Sequence, residues 1–183
     1  MSETTKSGLT PVAQKFILHW GEMGTRWGTN RTVAQVHALL FLSPQPVPAD
    51  EIATTLAVAR SNVSTSLREL QGWGIVRVVH VLGDRRDHFE SIKDVWEIFR
   101  IVSEERKRRE IDPTLQAIRE CVAELKAHPE GDAYARERLE SMLEFLTAMT
   151  GLFEEVLRMP AGALKSVVKL RGKVVTLLGK KAG

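Results

Sequence analysis

The sequence predicts a mainly α-helical fold: a winged helix-turn-helix of three helices plus a β-hairpin, with further helices before and after it. Three observations predict it. Two short helical patterns, Pro48 to Ala57 and Ser61 to Gln71, are separated by a turn of about three residues. The period then changes, and the valine-rich run Ile75 to Leu82, the polar turn Gly83 to Asp87 and the run His88 to Ile92 read as two strands of a hairpin. Outside this block the apolar residues recur at helical spacing. The expected organisation is an N-terminal dimerisation helix over 1–29, the winged unit over 30–93 and C-terminal dimerisation helices over 94–183.

The elements follow in order. Thr10-Pro11 reads as a helix start, with Thr as the cap and Pro in the first turn. Val12, Phe16 and Trp20 carry that helix forward, and Gly21, Gly24 and Gly28 are expected to break it up. A second helix runs from about Asn30 to Leu42, with Val33, Val36, Leu39 and Leu40 on one face; Pro44, Pro46 and Pro48 then make a stiff connector. Asp50 and Glu51 occupy the first turn of the next helix, where the helix dipole favours negative charge. Its Ile52 and Leu56 should pack against Val63, Leu67 and Leu70 of the helix that follows, which Gly72 and Gly74 end. From Asp94 a long helix or kinked pair reaches Ala127, interrupted near Asp112-Pro113. After the turn His128 to Gly131, a helix from Asp132 to Met159 bears an apolar stripe, and Leu164 to Leu178 reads as a last, basic amphipathic helix.

Composition narrows the function. The chain has 183 residues, 43% of them hydrophobic, and a net charge of +3, which is mild for a nucleic-acid binder, so the placement of charge matters more than its total. The lone Cys121 precludes an intrachain disulfide and reads as a packed thiol in a reducing compartment. No apolar run reaches the roughly 18 residues of a membrane span, and Met1 to Thr10 lacks the apolar stretch of a signal peptide. A cytoplasmic location is expected. No two histidines lie at metal-ligand spacing, and His80 and His88 read as solvated wing residues that could face each other. With no nucleophile triad, phosphate loop or paired carboxylates, neither catalysis nor a cofactor is expected. Arg106 to Arg109, flanked by glutamates, reads as a solvated helix face, and the basic tail from Ala163 as part of a dimer frame rather than a membrane-surface helix.

The charge that matters lies in the helix-and-wing block. Five arginines stand between Arg60 and Arg86, against Glu69 and Asp84. Arg60, Ser61, Asn62, Ser64, Thr65 and Arg68 face away from the apolar side of the second helix of the motif. Short hydroxyl and amide side chains with arginines suit the major groove of duplex DNA, because they approach base edges and phosphates without bulk. Arg85 and Arg86 at the hairpin tip repel each other unless an anion is met. Together they predict DNA binding.

At these residues the chain resembles the MarR family of transcription regulators, and within it the GbsR-like branch named for control of glycine betaine synthesis. The matching stretches are Met23 to Gly28, Arg31 to Leu40, Arg60 to Leu70 and Gly83 to Phe89. The resemblance implies a homodimer whose terminal helices pair the subunits, with a winged lobe on each side. It also implies that Asp84 orients Arg86, the arginine that reaches the minor groove. The family's Leu-Thr after the wing falls on Ile92-Lys93, and Ala59 stands where a capping serine is common. The expected dimer interface includes Phe16, Leu139, Met142, Leu143, Leu146, Met149 and Phe153. Trp20, Trp27, Trp96 and Phe99 are candidate walls of a small-molecule effector pocket, choline-like cations being one option. The implied action is repression at a roughly palindromic operator.

Overall fold

The computed structural model describes residues 8–128, 132–160, 162, 163 and 166. The chain divides into two compact units, Met1–Ile101 and Val102–Gly183.

In the first unit, α1 (Pro11–Arg26) begins where the sequence predicts, Thr10 Oγ1 accepting from the Ala13 N–H at 3.2 Å. Gly21 and Gly24, expected to break this helix, instead lie within it. They face α2 (Arg31–Leu42): a Cβ on Gly24 would stand 2.5 Å from the Ala34 Cβ, and one on Gly21 2.7 Å from Gln35 Cγ. They let two backbones approach, which is the use of glycine that overrides its low helix propensity here. The helix stops after Arg26, and Gly28 turns the chain at φ +77°. Packing on α2 thus joins α1 to the winged lobe, so this unit extends beyond residues 30–93 on both sides.

α2 is the central helix, buried at every position from Val33 to Leu40. α3 (Ala49–Leu56) and α4 (Arg60–Gly72) pack on each other, and α4 also packs on α2. Ala57 turns the chain between them in the left-handed region at φ 52°. Ile52 and Val63 are fully buried, with Leu67 and Leu70 beside them, as the predicted inner faces require.

The sheet has three antiparallel strands in the order β1 (Val47–Pro48), β3 (Asp87–Ser91), β2 (Val76–His80). β1 is a correction to the stiff proline connector. Val47 pairs with Phe89, and Pro48 is tolerated because this strand is an edge. The register sets His80 opposite Asp87 and Val79 opposite His88, so the two histidines do not face each other. His88 is buried and not solvated, with Nδ1 2.9 Å from the Arg86 carbonyl oxygen, while His80 is exposed. After the hairpin, Lys93 Nζ donates to the carbonyls of Leu40, Phe41 and Ser43 at 2.7, 3.0 and 2.7 Å, where a cation suits the negative end of α2.

α5 (Val95–Arg106) carries the chain into the second unit. The predicted interruption takes the form of a π-helical turn, Lys107–Ile111, before α6 (Asp112–Ala127). Pro113 has no N–H to donate, so the widened turn falls where a hydrogen bond is missing anyway. α7 (Ala133–Arg158) starts with the Asp132 carboxylate accepting from the Ala135 N–H at 2.9 Å, and packs on α6. Leu115, Val122 and Leu157 are the buried apolar side chains among the described residues of this unit. Cys121 is exposed on α6, contrary to the packed thiol expected. The basic run is ion-paired: Lys107 to Asp112 and Glu154 at 2.7 and 2.9 Å, Arg108 and Arg109 to Glu105, Arg106 to Glu110. Except for Ser166, the predicted helix Leu164 to Leu178 lies outside the described residues.

Candidate nucleic-acid interface

α4 separates its faces cleanly. Val63, Ser66, Leu67 and Leu70 are buried, and Arg60, Ser61, Asn62, Thr65 and Arg68 are exposed, with Ser64 between. Ser66 was not foreseen as a buried residue. Its small side chain fits between Val63 and Leu70 on the inner face. Ala59 caps the helix with no side-chain hydrogen bond, so the first N–H groups of α4 keep no protein side-chain cap. Ser64 is tied locally, its hydroxyl donating to the Arg60 carbonyl and accepting from Arg60 Nη1, both at 3.1 Å.

The wing stands beside this face. Arg60, Ser64, Arg68 and Gln71 of α4, Asp50 of α3, and Arg86 and Asp87 of the wing line a cleft of about 520 Å³. Its floor is Ala49, Leu67 and Phe89, from the same core that orients α4. The two elements therefore form one surface carrying three arginines.

Arg86 is held where the hairpin turn enters β3. Its Nε and Nη2 donate to Asp84 at 3.0 and 2.6 Å, and its Nη1 donates to Asp50 at 2.9 Å. The Arg86 backbone N–H donates to Asp84 as well, at 3.0 Å. The hydrogen bonds from Arg86 hold the Asp84 carboxyl well below the usual carboxylate range, and Asp50 is lowered by the same guanidinium. Reciprocally, Asp84 and then Asp50 raise Arg86. His88 Nε2 lies 3.4 Å from Asp84. Asp50 is the partner that sequence reasoning missed. It read as a helix-dipole residue, and nothing in its local pattern signals a contact 36 residues away. At the tip, Gly83 takes φ +86°, Leu82 is fully exposed and Arg85 is exposed.

Residues 27–87 match the MarR family model. That span holds α2 to α4 and the hairpin as far as the first residue of β3. A crystal structure of a transcriptional regulator shares the fold at a TM-score of 0.55 and 24% identity, over 80% of this chain and 96% of that one. No curated protein matches the chain.

The other predicted residues are more dispersed. Trp20 is half-buried and stacks on Phe16, ring centroids 5.4 Å apart, within α1. Trp27 and Phe99 are about half exposed, and Trp96 is half-buried. The α7 stripe divides. Leu139, Leu143, Leu146 and Phe153 are half-buried, and Leu143 shares a cleft with Val122 of α6. Met142 and Met149 stand out in water with Phe145 and Leu152, two residues left out of the expected interface. Their spacing of three, four and three residues was the available signal, since it marks a single helix edge. Among the described residues, no helix is long and apolar enough to cross a membrane, and no cluster of His, Cys, Asp or Glu is placed to hold a metal ion.

Proposed function

We propose that the protein is a DNA-binding transcriptional regulator that sits as a homodimer on an inverted-repeat operator and blocks transcription there. The observation that carries this reading is the single surface made by the outward face of α4 and the wing, rich in arginine and short polar side chains and built on a rigid apolar floor. Such a helix presents its N-terminal half to base edges in the major groove, while a wing reaches the flanking backbone or minor groove. Arg60, Ser61, Asn62, Ser64, Thr65 and Arg68 form the helix part, and Arg85 and Arg86 belong to the wing. The MarR match over this segment supports the same reading. The GbsR-like resemblance extends it to a small-molecule effector, for which tryptophan fluorescence on titration with choline-like cations is the direct assay.

Selection from a random duplex library tests the proposal. It should enrich an inverted repeat with half-sites about one helical turn apart, or a near multiple. Arg68→Ala should then cost roughly 1–3 kcal/mol of specific binding with its circular dichroism unchanged. A folded Arg68→Ala variant with full affinity, together with silent Ser64 and Thr65 changes, would remove α4 as the reading helix.

A further inference from the structure

We propose that the segment Leu164–Leu178 folds back as an antiparallel helix on the apolar edge of α7 and covers it in the isolated chain, so that a partner subunit has to displace it. The displacement rests on the homodimer reading above; the cover is a contact within one chain.

α7 presents this edge as a seam. Met142, Phe145, Met149 and Leu152 are exposed and Val156 is half-buried, at spacings of three, four, three and four residues. That is the heptad spacing by which one helix packs along another. The sequence beyond α7 carries a matching seam, since Leu164, Val168, Arg171, Val175 and Leu178 follow at four, three, four and three. The chain also has the connection that an antiparallel pair needs. α7 ends at Arg158, Met159 leaves the helix in an extended conformation at ψ 137°, and Pro160 does not continue it. Helix resumes at Gly162, whose carbonyl accepts from Ser166 Oγ at 2.9 Å. The stretch between, residues 159–161, has the length of a helical hairpin loop.

Register decides the match. Folding back about this connection sets Arg158 level with Gly162. Val156 then comes level with Leu164, Leu152 with Val168, Phe145 with Val175 and Met142 with Leu178, so each apolar member of the later seam meets an apolar residue of α7. Charge agrees with this pairing. Between Leu139 and Leu157, α7 carries four glutamates and no lysine or arginine, whereas Ala163 to Gly183 carries six lysines or arginines and no acid. One position makes the cover weak. Arg171 comes level with Met149, and a charged residue in such a seam fixes the register at a cost in stability. Gly172 beside it lowers helix propensity. The segment therefore shields the edge of a lone chain and yields to a second copy.

The test uses the full chain with Cys121→Ser, which removes the exposed native thiol. Leu152→Cys and Val168→Cys together should form an intrachain disulfide on mild oxidation of the dilute protein, with Leu152→Cys and Thr176→Cys as the out-of-register control. The intrachain yield should fall as concentration rises and the dimer forms. Without added cysteines, Val168→Asp with Val175→Asp should lower the apparent dissociation constant of the dimer by about tenfold, as when roughly one isolated chain in three has an open edge and both chains must open. The thermal transition of the N-terminal unit should stay unchanged in that variant. An intrachain yield no higher than the control's, or a bond between chains only, overturns the cover. An unchanged or raised dissociation constant for the double aspartate variant overturns the displacement, and a raised one gives the segment to the dimer interface itself. A wild type that stays monomeric at every concentration defeats the homodimer reading and the displacement with it, while the intrachain disulfide still decides the cover.

Discussion

The unit that ends at Ile101 buries fifteen apolar side chains, and the unit that begins at Val102 buries three among the described residues. In the first, Val36, Ala38, Ile52 and Val63 have no exposed surface. In the second, Met142, Phe145, Met149 and Leu152 are 48–62% exposed along one edge of α7. One unit completes a core from its own elements. The other has an amphipathic helix whose second apolar edge has no cover among the described residues, and on the proposed function that cover is the partner subunit. On that proposal, residues of the same hydrophobicity serve folding in one half and association in the other, and periodicity alone does not separate the two uses.

The largest expected effect is on assembly. Light scattering of the wild type should give about twice the chain mass at micromolar concentration, as expected for a symmetric pair. Met149→Glu or Phe145→Glu should reduce it to one chain and abolish tight operator binding while the N-terminal unit keeps its thermal transition. A wild-type mass of one chain would erase the contrast, since the exposed edge of α7 would then be mere surface.

Next in size is acid sensitivity, confined to the first unit. His37 is buried on α2, its Nε2 has no hydrogen-bond partner, and burial, aided by the charge of Lys93, lowers its pKa from 6.5 to about 4. The unfolded chain binds this proton near the ordinary value and the folded chain resists it. Stability from this residue is therefore complete above pH 6.5 and is lost as the pH falls through 4, by about 3 kcal/mol in all. Denaturant titrations across that window should show the slope in the wild type and its loss in His37→Leu. An identical slope in both would place the acid sensitivity elsewhere.

The smallest effect comes from a pair of glycines. Gly24→Ala sets a methyl 2.5 Å from the Ala34 Cβ and should cost roughly 1–3 kcal/mol. Gly151→Ala, inside α7 with nothing within 4 Å, should gain roughly 0.5–1 kcal/mol from helix propensity. Equal changes in melting temperature would mean that α1 and α2 are not closely packed.

What was legible in the sequence was local. Helix starts at Thr10 and Asp132, the inner faces of α3 and α4, the hairpin and the break near Pro113 all follow from residues within a few positions of each other. What was not legible depends on distant partners. Gly24 looks like a breaker until Ala34 is set against it, and Pro48 looks like a connector until Val47 meets Phe89. His88 seemed solvated because alternation along a strand does not say which face the core covers. In the candidate site, the polar face of α4 follows from spacing within one helix. The Asp50 link depends on how the hairpin leans on α3.

Lys93 has a consequence for the order in which the chain is made. Its ammonium holds the carbonyls at the end of α2 from a position 53 residues beyond Leu40. During synthesis from the N-terminus, α1 and α2 can pair early, since their contacts are near in sequence. The last turn of α2 keeps its carbonyls in water until α3, α4 and both wing strands have emerged and folded back. The lysine therefore acts as a clasp that closes last, and the central helix reaches its final capping only when the whole winged lobe is present.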